Sequence, residues 1–284
     1  MPEWRERRGD ASARREPAAM HVSRLQITPV KGTDLHDVAS VDLGIDGIAE
    51  DRRFYLVDSA GLMFNGKRDG RLVRVRATYD PANARRAIRF PDGRVVAASL
   101  AFTESITTSF YGNPVAGHLV AGPWSEALAA FLGQPVRLVQ ADRPGNAVDV
   151  HPVTMLSRGS IERLGARAAA MTHLERRFRM LVEIDGAAPY GEDSWRGRDV
   201  AIGAAVVSVV GPVPRCVVVS QNPQTGLRDY ADALRVIFEE RGAMSADLTT
   251  PTAHLPDGGK IVFGVYGSVV TPGRIAVGDT IALA

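Results

Sequence analysis

The sequence predicts a mainly β fold with a few helices, in which a β-barrel core is joined to a smaller, β-rich N-terminal domain. From residue 21 to about residue 120 the chain contains short β-like runs separated by turn residues. The second half adds more apolar runs of strand length, interrupted by only a few helical patterns. Because closing a sheet removes its edges, many short strands with few helices favour a closed or nearly closed barrel.

Composition and turn chemistry divide the chain into residues 1–20, 21–139 and 140–284. Residues 1–20 mix arginines with acidic residues and lack apolar periodicity, which predicts a disordered tail. Arg7 and Arg8 are not followed by an apolar h-region, so we expect no export signal. Residues 21–139 are predicted to form the N-terminal β-rich domain, and residues 140–284 the barrel domain.

The strands predicted in the first half are VSRLQITPV, RRFYLVD, RLVRVRATYD, RAIRF and RVVAAS. Residues 58–61 and 91–93 have turn chemistry between such runs, which predicts two hairpins. After Pro123, the apolar residues Trp124 and Leu128 lie at helical spacing and Gly133 follows, which predicts a helix that leads into the second half.

The second half is predicted to alternate strands with two helices. One helix begins after a capping Ser157, and DYADALRVIFEERG forms the other, with Tyr230, Leu234, Ile237 and Phe238 facing inward. RFRMLVEIDG, residues 177–186, predicts a strand in which Arg179 points away from the apolar face. The remaining predicted strands are AAVVSVVG, CVVVS, IVFGVYGSVV and DTIALA.

Charge and hydropathy exclude several classes of protein. Lys and Arg total 34 against 32 Asp and Glu, and a net charge of +2 argues against non-specific nucleic-acid binding. The apolar runs are far shorter than the roughly 20 residues that cross a bilayer, so we expect a cytoplasmic protein without a transmembrane segment. A single cysteine forms neither an intrachain disulfide nor an iron–sulfur cluster.

That cysteine, Cys216, occupies an unusual position in GPVPRCVVVSQNPQTG. It lies between Arg215 and a turn at Asn222, and it opens a predicted apolar strand. An adjacent guanidinium favours the thiolate, which is both a nucleophile and a soft metal ligand. Most free cysteines are small buried hydrophobic residues, however, so position alone leaves both interpretations open.

Four further basic residues are candidates for an anion pocket: Lys31, Arg52, Arg53 and Arg179. Each of them could equally be a solvated surface charge. In EDSW, Glu192 and Asp193 could supply an acid or base, or could belong to a loop that caps a helix. The six histidines show no metal-ligand spacing, and we assign them no role.

Together, these segments resemble the MOSC family. PVKG at residues 29–32, followed by DLGIDGIAEDRRFYLVD, is similar to the N-terminal β-barrel segment that precedes MOSC domains. RRFRMLVEIDG, EDSW, GPVPRCVVVSQNPQTG and FGVYGSVVTPGRIAVGDTI are similar in order and spacing to the MOSC domain itself. The family includes the mitochondrial amidoxime-reducing components, their bacterial counterparts and the C-terminal part of molybdenum cofactor sulfurases.

The resemblance implies that the chain binds molybdenum cofactor (Mo-molybdopterin) and that Cys216 ligates the metal. Motif matching assigns the pterin and its phosphate to Lys31, to one of Arg52 or Arg53, and to Ser157, Arg179 and Arg215. The chain departs from the family pattern at three places, where Gly32 replaces a serine, Met180–Leu181 replace Pro-Asn, and Asn222 replaces an aspartate.

The leading functional hypothesis is a molybdenum oxidoreductase that reduces small N-hydroxylated or N-oxide-type substrates. A separate cytochrome or flavoprotein would donate the electrons, and Asp193 or Glu192 would relay protons. The alternative is a carrier that holds a persulfide or an intact cofactor at Cys216 without turnover. A third hypothesis, a non-catalytic β-barrel interaction protein, predicts that neither metal nor sulfur is bound.

Overall fold

The computed structural model of the protein describes residues 19–242 and 260–284. The tail predicted to be disordered, residues 1–20, lies outside the described residues except for its last two positions. Strands dominate the described residues, which confirms the predicted mainly β fold class. None of the described helices has both the length and the apolar character that a membrane span requires.

Eleven strands precede the first helix, and a 3₁₀ helix at Gly70–Arg74 lies among them. They are β1 His21–Ile27, β2 His36–Val38, β3 Ser40–Gly44, β4 Gly47–Ile48, β5 Phe54–Val57, β6 Met63–Phe64, β7 Arg76–Asp80, β8 Arg85–Arg89, β9 Val95–Ser99, β10 Ala101–Phe110 and β11 Asn113–Ala121.

The rest of the described chain mixes strands with short helices. The elements are α1 Trp124–Leu132, β12 Arg137–Ala141, β13 Val153–Ser157, α2 Arg158–Arg167, α3 Leu174–Arg177, β14 Val182–Asp185, β15 Asp199–Ile202, β16 Ala205–Pro214, α4 Ala233–Arg241, β17 Val262–Thr271, β18 Gly273–Ala276 and β19 Ile281–Leu283. Two further 3₁₀ helices span Gly191–Trp195 and Val217–Ser220.

The largest sheet closes on itself through strand β1. Its eight strands follow the order β19-β15-β16-β17-β13-β14-β1-β2. Strand β2 pairs with the end of β1, whereas the start of β1 is bridged at His21 to Thr280, just before β19. Val22 strengthens this contact, because its N–H donates to Asp279 O at 2.9 Å and its carbonyl accepts from Gly278 N at 2.8 Å. The strands from β1 to β19 therefore form a ring, as the sequence predicted.

Two smaller sheets and helix α1 form a second packing unit. A five-stranded sheet has the order β10-β11-β12-β5-β6, and β7, β8 and β9 form a three-stranded sheet. Their shared core contains Phe54, Leu72, Trp124 and Leu128. Both predicted hairpins are confirmed, as β5–β6 and β8–β9, and α1 ends at Gly133 in the left-handed conformation. A third small sheet, β18-β3-β4, packs beside the barrel.

The segment after β1 carries the chain from the barrel to the second packing unit. Val30 forms a parallel bridge with Phe54 at the start of β5. Lys31 N then donates to Phe54 O at 2.8 Å. The backbone thus fixes Lys31 at the junction between the barrel and the smaller sheets.

The strand predicted over residues 177–186 is wrong in its first half. Helix α3 occupies Leu174–Arg177, and β14 begins only at Val182. Arg179 has a φ of 54°, a left-handed conformation that a strand cannot contain. The alternation of apolar residues at Phe178 and Met180 therefore reflects a tight turn rather than a strand.

Two other predictions need correction. CVVVS does not form a strand, because β16 ends at Pro214 and Val217–Ser220 is a 3₁₀ helix. Helix α4 begins at Ala233, later than predicted, and Phe238 is 36% exposed. Of the other residues predicted to face inward, Ile237 is fully buried, and Tyr230 and Leu234 are partly buried against the same core.

Candidate functional site

A cavity lies where the barrel meets the smaller sheets. It contains about 1260 Å³ of space free of protein atoms, part of it open to solvent. The first half of the chain contributes residues 31–32, 52, 65–67 and 111 to the walls, and the second half contributes residues in 148–154, 177–180 and 213–221. Neither half alone encloses this cavity.

Cys216 lines the cavity as a partly buried free thiol. Its backbone is extended, with a φ of −129°, between the end of β16 and the 3₁₀ helix Val217–Ser220. The N–H of Val219 donates to Cys216 O at 3.1 Å and fixes this turn. Arg215 and Tyr111 are close enough to interact electrostatically with the thiol. The cysteine therefore follows a strand, and does not open one as predicted, yet it lines a cavity whose wall also contains cations.

Arg215 is buried beside the thiol and fully engaged by the backbone. Its guanidinium donates to Phe263 O through Nε at 2.9 Å and to Phe178 O through Nη1 at 2.9 Å, and it lies 5.1 Å from the centroid of the Phe178 ring. Burial lowers the pKa of Arg215 to about 9, against the opposing charge of Cys216. The side chain remains cationic at neutral pH and provides a fixed positive charge next to the sulfur.

Arg52 and Arg179 meet at the cavity wall, and both have left-handed backbones, with φ values of 47° and 54°. Arg52 Nη2 donates to Arg179 O at 3.0 Å, and Arg179 Nη2 donates to Thr33 O at 2.6 Å. Asp51 forms an ion pair with Arg52. Burial, followed by the charge of Arg52, lowers the pKa of Arg179 to about 10. Two guanidinium groups are thus held together at one side of the cavity.

Lys31 forms an ion pair with Asp149, a residue that the sequence analysis missed. Lys31 Nζ donates to Asp149 Oδ1 at 2.6 Å and to Ala147 O at 2.9 Å. Burial lowers the pKa of Lys31, opposed by Asp149. Burial alone would raise the pKa of Asp149, but the charge and hydrogen bond of Lys31 outweigh it and hold the pKa at about 2. Asp149 is therefore ionised at neutral pH and accepts a hydrogen bond from Lys31 Nζ.

The tip of the β10–β11 hairpin adds Tyr111 to the cavity. Its hydroxyl donates to Asp149 Oδ1 at 3.3 Å, and Lys67 Nζ lies 5.0 Å from the centroid of its ring. Burial, followed by the charge of Asp149, raises the pKa of Tyr111, so the phenol stays protonated. Sequence reasoning missed both Tyr111 and Lys67, although Tyr111-Gly112 between two β-like runs has the length of a hairpin turn.

His151 and Tyr266 form another part of the wall. Their rings lie 4.7 Å apart, and His151 Nδ1 is 3.0 Å from Ser268 Oγ. Burial lowers the pKa of His151 and raises the pKa of Tyr266 to about 12, so both side chains are neutral near pH 7. The histidine that the sequence left without a role is thus a cavity residue.

Arg53, Ser157 and Asp193 do not line the cavity. Arg53 Nη2 donates to Asp142 O at 3.2 Å on the other side of β5. Ser157 caps α2, because its Oγ accepts from Ser160 N at 3.1 Å. Asp193 forms an ion pair with Arg241 at 2.7 Å. The structure therefore brings together Lys31, Arg52, Arg179, Arg215 and Cys216 of the predicted site residues, and no others.

The described residues contain no cluster of three or more His, Cys, Asp or Glu side chains arranged to bind a metal ion. An organic molecule with its own donor atoms could supply further ligands to a metal held by Cys216. The cavity beside the thiol has space for such a molecule, and its cations suit an anionic group.

Comparison with known families agrees with this geometry. The family model described as "MOSC domain" matches residues 142–282, and the model described as "MOSC N-terminal beta barrel domain" matches residues 19–133. The chain belongs to the MOSC domain family. Its two matched segments meet at the cavity, so each family segment supplies part of the wall around Cys216.

Relatives of this MOSC protein span most of its length. It is 28% identical to mitochondrial amidoxime-reducing component 1 of Xenopus laevis over 98% of this chain and 85% of that protein. It is 22% identical to molybdenum cofactor sulfurase of Bos taurus over 78% of this chain and 29% of that protein. The YuaD protein of Bacillus subtilis, a solved structure, is similar with a TM-score of 0.46 and 12% identity over 93% of this chain and 95% of that chain.

Proposed function

We propose that this MOSC protein binds molybdenum cofactor and reduces small N-hydroxylated or N-oxide-type substrates with electrons from a separate protein. The observation that carries the proposal is the free thiol of Cys216 in a cavity whose wall also contains Lys31, Arg52, Arg179 and Arg215. The similarity to the amidoxime-reducing component of Xenopus laevis supports the reaction class.

The cavity fits a metal that arrives with a sulfur-bearing organic ligand. One thiolate suffices when the pterin provides the other sulfur donors. Arg52 and Arg179, held together by a hydrogen bond, are the residues that would hold the phosphate of the pterin. Gly32 lies close to the backbone of the opposite loop, since a Cβ there would approach Gly66 N to 3.3 Å. Gly32 also has a φ of 91°, a conformation that favours glycine. The close packing and this φ together explain why a glycine stands where the family has a serine.

The cofactor, when bound, would supply a two-electron redox change and a position for the oxygen atom of the substrate. The residues of the chain would bind and orient. Cys216 would fix the metal end, and Arg215 would stabilise the thiolate by its adjacent charge. Asp193, expected to relay protons, is ion-paired outside the cavity, so protons would come from other groups that line it or from solvent.

Electrons would come from a separate partner of the cytochrome or flavoprotein type, because a chain with one cysteine cannot bind its own iron–sulfur cluster. The Xenopus relative is named as mitochondrial, so the expected cytoplasmic location of this chain stays a prediction.

The test is the molybdenum and pterin content of protein purified from a host that makes the cofactor, followed by benzamidoxime reduction with reduced viologen. We expect Cys216→Ser to lower the molybdenum content about tenfold or more, since even outer-shell changes weaken metal sites 10–100-fold. Val217→Ser, which adds the same hydroxyl at a neighbouring position outside the cavity wall, should retain it. Equal molybdenum in the wild type and Cys216→Ser would overturn the ligand assignment.

The similarity to molybdenum cofactor sulfurase favours one alternative, a carrier that holds a persulfide at Cys216. A persulfide needs an accessible thiol but no phosphate site. Arg179→Met should therefore leave persulfide formation unchanged in a carrier, and should lower the cofactor content in a molybdenum enzyme. Cyanolysable sulfur and pterin fluorescence measure the two outcomes separately.

A further inference from the structure

The β10–β11 hairpin holds a tyrosine in a backbone conformation that tyrosine rarely adopts. Tyr111 and Gly112 form the two-residue turn, with φ values of 52° and 92°. Such turns favour Asn or Asp followed by Gly, because a side chain at positive φ is strained. Strain of this kind persists where the surroundings hold the residue in place, and here Tyr111 lines the cavity. The turn therefore places this ring at the wall.

Tyr111 in turn orients Lys67. The Tyr111 hydroxyl is fixed by its hydrogen bond to Asp149, and Lys67 Nζ lies over the ring face at 5.0 Å. At its backbone, Lys67 N donates to Asn65 Oδ1 at 3.0 Å, which anchors the loop that carries it. The ammonium is thus positioned at the cavity wall by contacts that leave its charge unneutralised.

The other cations of the wall have partners or an assigned role, since Arg179 donates to Thr33 O and, with Arg52, would hold the cofactor phosphate. Lys31 is paired with Asp149, and Arg52 with Asp51. Arg215 donates to backbone carbonyls. Within residues 19–242 and 260–284, Lys67 has no carboxylate within ion-pair distance, whereas the next residue, Arg68, is paired with Asp58 at 2.6 Å. Lys67 is therefore a cation available to a ligand.

The wall of the same cavity also contains apolar side chains, among them Val73, Val148 and Val150. A ligand that satisfies both features has an apolar body and an anionic group. The Asp149 carboxylate interacts electrostatically with Lys67. Its negative charge repels a phosphate dianion more strongly than a carboxylate, so a dianion binds less favourably at Lys67. The geometry favours a monoanion at this position.

We propose that Lys67, positioned by Tyr111, binds the carboxylate of the substrate, so that the protein prefers N-hydroxylated compounds with an apolar body and a carboxylate group. This inference rests on the proposed function and names its substrate class. In the reaction, the N–O bond of an amidoxime is cleaved. Two electrons from a one-electron donor such as reduced viologen, together with two protons, yield the amidine and water.

The test compares benzamidoxime with its para-carboxy analogue in cofactor-loaded protein. We expect the wild type to have the higher kcat/KM for the carboxylate, and Lys67→Met to reduce that preference about tenfold by raising KM for the carboxylate only. Lys67→Arg should restore the preference. Arg68→Met, which removes the same charge from the next residue, should leave it unchanged. An unchanged preference in Lys67→Met would overturn the inference.

Two further measurements separate this inference from the proposed function. Benzoate binding, followed by calorimetry on protein without cofactor, should weaken about fivefold or more in Lys67→Met and not in Arg68→Met, whether or not the protein turns over. Absence of turnover in every variant would overturn the proposed function, while benzoate binding would still decide the role of Lys67. Loss of pterin from Lys67→Met with an unchanged substrate preference would assign the residue to the cofactor phosphate and overturn the substrate inference.

Discussion

The ion pair of Lys31 and Asp149 shows how burial and pairing act on a single residue. A lysine in this position lacks water to solvate its charge, so its ammonium depends on the carboxylate at 2.6 Å. The pair also neutralises one of the cations of the cavity, which leaves Arg52 and Arg179 as the neighbouring guanidinium groups that face a ligand.

Removal of the carboxylate should destabilise the protein in a pH-dependent manner. The pKa of Asp149 is about 2 in the folded protein and 3.8 in its ordinary state, so the pair stabilises the fold above about pH 4 and loses this effect as the pH falls towards 2. Because the Asp149 side chain is 65% accessible, solvent screens the pair, and we expect Asp149→Asn to cost about 1 kcal/mol at pH 7.

Urea unfolding at pH 7 and at low pH checks this prediction. The difference in the free energy of unfolding between the wild type and Asp149→Asn should become smaller as the pH falls. A difference that stays constant down to pH 2 would show that Asp149 acts through packing instead of charge.

At the scale of elements, the sequence predicted those segments whose ends carry their own signals. Helix α1 has Pro123 before it and Gly133 after it, and α2 has the Ser157 cap, so local chemistry alone determines where they lie. The turn at residues 178–181 has no such signal. Its conformation depends on Arg215, which follows β16 and donates from its guanidinium to Phe178 O across 37 residues of sequence.

Contacts between residues distant in sequence also limit what could be predicted of the site. Five of the predicted residues meet at the cavity, because the resemblance to the family carried information about distant contacts. Asp149, Lys67 and Tyr111 were not predicted, since each becomes recognisable only through a partner far along the chain. Glu192 and Asp193 were candidates for an acid or base, or for a loop that caps a helix; Glu192 accepts from Ser160 at the start of α2, and Asp193 forms an ion pair with Arg241.

Glu192 links the 3₁₀ helix Gly191–Trp195 to the start of α2. The carboxylate is fully buried, and its Oε1 accepts from Ser160 Oγ at 2.7 Å. Burial raises the pKa of Glu192 above its ordinary 4.5, so the folded state binds the proton more tightly than the unfolded chain. Its contribution is therefore greatest at low pH and is lost as the pH rises through the folded pKa.

Glu192→Gln keeps the acceptor oxygen but removes the charge. We expect this variant to become more stable relative to the wild type as the pH rises from 5 to 8, measured by thermal unfolding. Ser157→Ala, which removes the α2 cap, should cost about 1 kcal/mol, and this cost should grow as the pH rises, because the Ser157 hydroxyl also lowers the pKa of Glu192. A constant difference between Glu192→Gln and the wild type would contradict a buried, titrating carboxyl group.

For the whole molecule, the path of strand β1 matters most. Although it belongs to the first matched segment, β1 pairs with β14 and completes the barrel of the second. The chain then passes through Lys31 at the cavity before it forms the smaller sheets. The cavity therefore exists only when both packing units are folded, and this connection couples the stability of the units to the formation of the site.

We accordingly expect the two packing units to unfold in one cooperative transition. Trp124 is buried in the core of the smaller sheets and Trp195 in the core of the barrel, so variants that retain only one tryptophan report on each unit. Val22→Asp, at a fully buried position of β1, places a charge in the barrel core. It should lower the free energy of unfolding by about 3 kcal/mol, and by the same amount whether Trp124 or Trp195 reports it. Val95→Asp, at a position 47% exposed on β9, should change neither by more than about 0.5 kcal/mol. Fluorescence that shows two separate midpoints, or a Val22→Asp shift confined to Trp195, would mean that the barrel and the smaller sheets fold independently and that the cavity assembles only by docking.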